Sequence, residues 1–350
     1  MKHHDSLPAL RGGLIALTAA VLFGVSTPLV QRFGAGIGSF STAALLYAGA
    51  ALVGLLMRRP SGAEARVRRE DASRLLLMAF FGAVVGPVAL AWGLQHTSGT
   101  SASLVLTLEA VFTAVLARLW YRETLDRRVA FAMVLLTSGG LVLVMDRAQS
   151  GASQVVGLVA VIAATAAWGV DNTLSRAVAE RDPGQVVMFK GGLGALATTV
   201  IAVGLGEGVP PLGPASALLA IGATGYGLSL RFYLLAQRAF GAARTGSVFA
   251  FAPFVGALLA YVIGDRAWSG WMLGGAALMV VGIVLHLAET HAHEHEHGEA
   301  DHEHAHSHDD GHHGHSHRPE VAGSHSHRHR HAASRHTHSH VPDDHHTHQH

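Results

Sequence analysis

Two groups of residues in this chain could carry chemistry. The first is a histidine-rich segment after residue 290, which holds 23 of the 27 histidines. Its His-x-His pattern, interleaved with Asp, Glu and Ser, offers imidazole and carboxylate ligands, which suit Zn(II), Ni(II), Co(II) and Cu(II). The chain has no cysteine, so thiolate metal sites and disulfides are excluded.

The second group consists of charged and polar side chains inside long apolar runs. The candidates are Glu109, Asp171, Asn172, Lys190 and Arg231. Within such a run an ionisable side chain costs free energy unless it is paired or hydrated, so each is a functional hypothesis. Glu109 lies near the middle of its run. We expect it to be either a structural carboxyl hydrogen-bonded between helices or a site for proton coupling or a substrate amine.

Three of these residues are predicted to form a charged cluster. Their positions within the apolar runs place Asp171, Lys190 and Arg231 at similar depth on one side of a membrane. A cluster there could act as a salt-bridge gate, or as a clamp for a zwitterionic or anionic cargo at the mouth of a central cavity. The alternative is that Lys190 and Arg231 extend their charged ends to the membrane surface while their stems stay in lipid.

Three more residues are predicted to line the same cavity. They are Tyr226, Gln95 and Trp168, whose phenol, amide and indole groups interrupt apolar sequence. Trp168 is equally suited to helix packing or to anchoring at the membrane interface, where tryptophan is enriched. The cavity therefore has predicted aromatic and polar walls in addition to its charges.

Ten apolar runs must position these side chains. Each approaches the ~20 residues that an α-helix needs to cross about 30 Å of hydrocarbon. None carries the polar stripe of a surface helix in a soluble protein. The predicted spans are 13–31, 38–57, 74–94, 100–120, 128–146, 154–175, 185–204, 215–236, 243–263 and 271–288. We therefore predict an all-α membrane protein with ten transmembrane helices in a lipid bilayer.

The basic residues between the runs predict how the helices are oriented. Sixteen lie on the side that carries both ends of the helical region, whereas only Arg32, Arg147 and Arg266 lie on the other side. Because positively charged loops stay in the cytoplasm, both termini are predicted to be cytoplasmic. Only two of the 25 basic residues are lysines, a bias typical of GC-rich bacterial genomes. The predicted location is the bacterial inner membrane.

The helical region is internally duplicated. FGVSTPLVQ at 23–31 in the first span recurs as WGVDNTLSR at 168–176 in the sixth. A constant shift pairs LQHTSGTSASLVLTLEAVF at 94–112 with AQRAFGAARTGSVFAFAPF at 236–254. The repeated unit has five helices, so its second copy must enter the membrane from the opposite face. Inverted repeats of this kind are typical of secondary transporters, whose substrate site lies between the halves near mid-membrane.

The repeated segments also carry a family resemblance. FG at 23–24 and WG at 168–169 lie in the first helix of each repeat, and LEAVFTAVLARLWYRETL at 108–125 corresponds to FAPFVGALLAYVIGDRAW at 251–268. On these motifs, region 13–288 resembles the drug/metabolite transporter superfamily, of the EamA type with two five-helix repeats. The resemblance implies transport of small organic molecules without naming a cargo.

The predicted organisation has four parts. They are a cytoplasmic N-terminus at 1–12, a first repeat at 13–146, a second repeat at 147–288, and a histidine-rich cytoplasmic tail at 289–350. The tail offers too little apolar surface to offset chain entropy, so it is predicted to be disordered. No cofactor is required by any motif, but the tail is expected to bind Zn, Ni, Co or Cu. The predicted metal ligands are His291, His293, His295, His297, His302, His304, His306, His308, His312, His313, His315 and His317.

Three functions compete at this point. The leading hypothesis is a secondary transporter, an exporter of an amino-acid-like or related organic metabolite. The alternative is efflux of nickel, cobalt or zinc, with the tail as metal collector, and the third is a metal-binding membrane scaffold. The spans offer a metal ion few ligands, since only Glu109 is well placed. The sequence has no Walker A motif, which argues against an ATP-driven pump, and no nucleophile-elbow or zincin motif, so no enzyme is predicted. No nucleic-acid partner is expected, and a homodimer is left as an open alternative.

Overall fold

The computed structural model describes residues 6–59, 64–121, 127–178, 181–240, 242–265 and 269–287 of the helical region, and residues 292–297, 300–306, 325–331 and 334–339 of the tail. The α-helices are α1 Ser6–Phe33, α2 Ser39–Met57, α3 Ala72–Met78, α4 Gly86–Leu94, α5 Gly99–Val105, α6 Leu108–Tyr121, α7 Arg127–Ala148, α8 Ala152–Ser175, α9 Pro183–Gly204, α10 Leu212–Ile221, α11 Ser229–Phe240, α12 Ala242–Phe249, α13 Ala252–Val262 and α14 Gly270–Leu287. Segments Ala79–Val85 and Gly222–Leu228 are π-helices, and Arg69–Asp71 and Arg176–Val178 are 3-10 turns.

These helices combine into ten apolar spans, numbered in chain order. Nine are long enough to cross a membrane: Gly12–Phe33, Ser39–Met57, Arg69–Leu94, Gly99–Trp120, Arg127–Ala148, Ala152–Ser175, Pro183–Gly204, Leu212–Arg238 and Thr245–Val262. The tenth, Gly270–Leu285, is apolar but shorter. Large apolar side chains face outward, such as Leu56 and Val203, each 74% exposed. The predicted all-α architecture with ten spans is confirmed.

Spans five and ten are regular helices, whereas four of the inner spans are not. The two π-helices lie in spans three and eight, where Ala79 and Gly222 begin them at nearly equivalent places in the two repeats. The α-helix of spans four and nine breaks for two residues, at 106–107 and at 250–251. Irregular backbone at membrane depth is tolerated only where it is buried in protein or lines a cavity. Matched irregularities in both repeats therefore indicate the region of a central site.

Equivalent spans of the two repeats make equivalent contacts. Span two packs along span seven, and span five packs along span ten. Span one packs against spans eight and nine, while span six packs against spans three and four. Exchanging the two repeats leaves this pattern unchanged, as expected for an inverted repeat.

The glycines of the FG and WG motifs permit the closest of these contacts. A Cβ atom on Gly24 would lie 2.3 Å from the carbonyl oxygen of Ala252 in span nine. A Cβ atom on Gly169 would lie 2.7 Å from the Cβ atom of Phe112 in span four. Any larger residue at either position would push the first helix of a repeat away from its partner in the other repeat.

The described residues of the tail form four strands, β1 Ala292–His297, β2 Ala300–His306, β3 His325–His331 and β4 Ser334–Ser339. β1 pairs with β4 and β2 with β3, both antiparallel. Over these ranges the structure differs from the predicted disorder. The physical reason lies in the pattern, because His-x-His has the two-residue period of a strand and the acidic first half lies opposite an arginine-containing second half.

Candidate functional site

A buried ion pair joins spans six and seven. Lys190 Nζ donates a hydrogen bond to Asp171 Oδ2, and each residue is only 4% exposed. Gly82 in the π-helix of span three leaves room for this carboxylate, since a Cβ atom there would lie 2.4 Å from the Asp171 carboxyl carbon. The predicted meeting of Asp171 with Lys190 is therefore present. The Lys190 ammonium group is buried in this ion pair, so the alternative in which it extends to the membrane surface does not hold.

A second carboxyl group lies beside this ion pair. Glu109 occupies the first turn of α6, directly after the break in span four, and it is half-buried. Asn172 Nδ2 in span six donates a hydrogen bond to Glu109 Oε1. The charged neighbours of Glu109 are Asp171 and Lys190. The helix N-terminus favours a negative charge at this position. The hydrogen bond from Asn172 joins this carboxylate of the first repeat to the second repeat.

Aromatic side chains form one wall of the site. Phe23 packs edge-on against Trp168 and Tyr226, with ring centroids 5.5 and 5.9 Å apart. Tyr47 packs edge-on against Tyr226 at 5.5 Å. The Tyr47 hydroxyl and the Trp168 indole nitrogen both donate hydrogen bonds to the Gly82 carbonyl, the latter at 3.0 Å. The π-helix of span three thus supplies the acceptor that fixes two of the four rings.

We call this group of side chains the central cluster: Glu109, Asp171, Asn172, Lys190, Tyr47, Trp168 and Tyr226. Tyr47 and the Gly82 carbonyl group were not predicted from the sequence. Tyr47 carried a usable signal, because a hydroxyl group in an apolar span needs a partner. Gly82 carried none beyond its small size, since its role depends on the carbonyl group and on the neighbouring helix.

The prediction that Arg231 joins Asp171 and Lys190 is wrong. The charged neighbours of Arg231 are Arg59, Glu64, Asp182 and Arg238, at one end of the bundle. Arg231 follows the π-helix of span eight, and each extra residue in a turn rotates the rest of the helix by about 100°. Its depth was predictable from the sequence, but the direction in which it lies was not.

The prediction that Gln95 lines the cavity is also wrong. Gln95 lies just beyond the end of α4, where it is exposed, and its Nε2 atom donates to the carbonyl oxygen of Ile37 at 2.9 Å. It therefore ties two loops together at the end of the bundle remote from Arg231. Trp168 and Tyr226, by contrast, are each 5% exposed within the central cluster.

A network that sequence reasoning missed closes the end of the bundle near Arg231, which we call the arginine-rich face. Arg238 at the end of span eight pairs with Glu64 at 2.7 Å and also donates to the carbonyl oxygen of Arg181. Arg181 pairs in turn with Asp71 at 2.9 Å. The segment between spans two and three is thereby held against the segment between spans six and seven. Because these residues lie at span ends or between spans, their partners depend on the tertiary packing of the loops.

The predicted tail ligands fall into two sets. Those within the described strands are His293, His295, His297, His302, His304 and His306. Those outside the described residues are His291, His308, His312, His313, His315 and His317. The strands β3 and β4 bring in further histidines that were not predicted as ligands, although they share the same alternating pattern.

Comparison with known proteins decides the family. The model of the EamA-like transporter family matches residues 10–145 and 155–288, one match in each repeat. This chain belongs to the EamA-like transporter family. The predicted membership of the drug/metabolite transporter superfamily is confirmed, and so is the prediction that the chain is not an enzyme. It is a multi-pass membrane transporter.

Two similar proteins extend this finding. A protein of Methanothermobacter thermautotrophicus described as an uncharacterized transporter is 26% identical over 294 residues, covering 79% of this chain and 86% of the relative. A solved crystal structure is similar with a TM-score of 0.58 at 20% identity, covering 79% of this transporter and 96% of that chain. At this identity the likeness shows the fold alone. The family match ends at residue 288, so the histidine-rich tail lies outside it.

Proposed function

We propose that this transporter exports a small organic solute that carries an amino group, such as an amino acid or a related metabolite. The observation that carries the proposal is the charge of the central cluster. Glu109 and Asp171 contribute two carboxylates, whereas Lys190 contributes one ammonium group. With all three ionised, the cluster holds one uncompensated negative charge between the two halves of the molecule.

An uncompensated charge at this depth is costly, so the cluster favours the uptake of one positive charge. Asp171 and Lys190 are buried and neutralise each other, whereas Glu109 is half-buried and accepts a hydrogen bond from the neutral Asn172. Glu109 is therefore the group that exchanges its partner. A proton and a cargo ammonium group would compete for it, and this competition couples cargo movement to proton movement.

The aromatic wall supports an organic cargo over a metal ion. Phe23, Tyr47, Trp168 and Tyr226 offer apolar surface and ring faces, which suit the carbon skeleton and the cationic group of an organic amine. Within the described residues of the helical region, no three His, Asp or Glu side chains come together as a metal site. A dehydrated divalent ion would need more such ligands along its path.

The proposed direction and location follow from charge asymmetry and coupling. Sixteen basic residues against three favour a cytoplasmic position for both termini in a bacterial inner membrane. With the proton gradient directed inward, exchange at Glu109 drives the cargo outward. The tail then lies in the cytosol, where we propose that it binds a divalent metal and serves as a sensor or buffer for Zn, Ni, Co or Cu.

Transport by the purified full-length protein in proteoliposomes tests the proposal. An inward or outward proton gradient is imposed, and the flux of a panel of radiolabelled amino acids and amines is measured alongside Ni(II), Co(II) and Zn(II). We expect proton-driven flux of an amine and metal flux at background. Glu109→Gln should abolish the coupled flux, whereas Glu207→Gln, which lies between spans seven and eight, should retain it. Metal flux without amine flux would favour metal efflux, and no flux at all would favour a scaffold.

A further inference from the structure

The two antiparallel ribbons of the tail follow one register. Each step forward along 292–306 is one step back along 325–339, in both the β1–β4 and the β2–β3 pairing. The two ribbons are therefore successive parts of one hairpin pattern, although they are joined by residues outside the described ranges. This shared register assigns each described residue of 292–306 a specific partner in 325–339.

In this register histidine lies opposite histidine at five positions. The pairs are His293 with His338, His295 with His336, His302 with His329, His304 with His327, and His306 with His325. Residues two apart in a strand share a face. The three pairs of the β2–β3 ribbon consequently occupy one face in succession, as do the two pairs of the β1–β4 ribbon.

The intervening positions carry complementary charges. Asp301 lies opposite Arg330 and Glu303 lies opposite Arg328 in the β2–β3 ribbon. In the β1–β4 ribbon, Glu296 lies opposite Arg335. Opposite charges in directly opposed positions stabilise a pair of strands. A slip of one residue would exchange the faces and replace these pairs with charged residues opposite histidine, so the charges specify the register that aligns the histidines.

The spacing of opposed residues suits metal binding. Directly opposed Cβ atoms in an antiparallel pair lie about 4.5–5.5 Å apart, so two imidazoles can share one ion with Zn–N distances of about 2.0–2.1 Å. Two neighbouring pairs on one face supply four imidazoles, the number that a tetrahedral zinc site needs. An isolated two-stranded ribbon is only marginally stable in water, so a metal bound to the paired form supplies the free energy that orders it.

We propose that residues 292–306 and 325–339 close on divalent transition-metal ions shared between opposed histidines. The tail is then a metal-dependent hairpin with defined sites, in place of a coil in which every histidine is equivalent. The proposal rests on the proposed binding of metal by the tail, and it adds ligands from the second half: His325, His327, His329, His336 and His338. A cytosolic metal signal would thereby change the shape of the segment attached to span ten.

Zinc titration of the full-length protein in nanodiscs tests the ligands. The variant carries Asn in place of His325, His327 and His329, and the matched control carries Asn in place of His312, His313 and His315. Both lose three histidines from the same tail. We expect zinc affinity to fall by about tenfold or more in the first variant, since mutation of groups that only support the ligands already costs about 10–100-fold. Zinc affinity should stay near that of the parent protein in the control.

Spin labels test the register, because the chain has no native cysteine. Ala305→Cys with Ser326→Cys places nitroxides at directly opposed positions. Ala300→Cys with Ser326→Cys is the control, since Ala300 lies further along the same strand from Ala305, by about 17 Å. Zinc should cause dipolar broadening of the spectrum in the first pair and much less in the second.

Each outcome separates the hairpin from simple metal binding. Equal loss of affinity in both histidine variants, with no zinc-dependent broadening, would overturn the hairpin and leave metal binding by the tail intact. Full broadening before zinc is added would overturn its metal dependence. No zinc binding by the full-length protein would overturn both this inference and the proposed metal binding, while the transport proposal would stand on its own flux assay.

Discussion

The two repeats use the same backbone devices around the membrane centre but surround them with different chemistry. In span three, Gly82 lies so close to Asp171 of span six that a Cβ atom would be 2.4 Å from its carboxyl carbon. In the π-helix of span eight, a Cβ atom on Gly225 would lie 2.5 Å from the Cβ atom of Ser26 in span one. The glycine of the first repeat therefore contacts a carboxylate, that of Asp171, whereas the glycine of the second repeat contacts a hydroxyl-bearing side chain, that of Ser26.

The neighbouring positions repeat this contrast. Asn172 in span six donates to Glu109 in span four. Their counterparts, read from the paired segments of the two repeats, are Thr27 in span one and Phe251 in span nine. Symmetry of the backbone suits a site that both halves can enclose in turn, since equivalent spans pack in equivalent ways. The charges lie in one of the two equivalent groups of spans, where span four of the first repeat meets spans six and seven of the second, so the chemistry of the cargo is read on one side of that symmetry.

The variant with the largest expected effect removes the buried ammonium group of Lys190. Lys190→Met leaves Asp171 buried without a partner, which we expect to cost about 3–5 kcal/mol in the free energy of unfolding. Chemical denaturation in detergent measures this loss. Adding Asp171→Asn should restore much of the stability, whereas Ser26→Ala at the counterpart position should change little. Wild-type stability in Lys190→Met alone would contradict the buried pair.

The hydrogen bond between spans four and six is the next test. Asn172→Ala removes the donor to Glu109, and hydrogen bonds to charged groups contribute about 1.5–3 kcal/mol. We expect a stability loss in that range together with reduced transport. Thr27→Ala at the counterpart position should cost less than Asn172→Ala. Equal costs in a side-by-side denaturation experiment would remove the functional contrast between the repeats.

The paired glycines give a more evenly matched comparison. Gly82→Ala and Gly225→Ala both overpack a helix contact, which typically costs about 1–3 kcal/mol. Gly82→Ala should also displace Asp171 from Lys190, and it should therefore reduce transport more than Gly225→Ala does. Thermal unfolding and flux in proteoliposomes measure the two effects. A larger transport defect in Gly225→Ala would reverse the assignment of chemistry to the two halves.

The variant with the smallest expected effect on stability makes the two repeats more alike. Trp168→Phe keeps an aromatic ring, as at the counterpart Phe23, but removes the indole donor to the Gly82 carbonyl. Loss of one such hydrogen bond should cost about 1 kcal/mol. Trp92→Phe, on a side chain 39% exposed, is the control and should cost less. A difference in the melting temperature of the two variants is the measurement.

Much of the candidate site was predictable because burial makes charge expensive. Glu109, Asp171 and Lys190 stood out in apolar runs, and the structure places all three in the central cluster. Gln95 was misplaced because it lies just beyond the end of α4, and Arg231 was misplaced because it follows the π-helix of its span. A residue count along the chain gives depth, but an irregular turn changes which neighbours a side chain meets. Tyr47 was missed for a related reason, since its partner is a backbone carbonyl of another span.

The order of residues along the chain specifies the ten spans, the duplication and the family, because apolar length, repeat spacing and local motifs do not depend on tertiary contacts. It also determined that the tail has side chains of the kind that bind metals. Three contacts follow from helix packing alone: Glu109 meets Asn172, Lys190 neutralises Asp171, and Arg231 lies at the arginine-rich face. Those choices depend on which faces of distant helices come together, and that is set by close glycine contacts and helix irregularities, which no local pattern encodes.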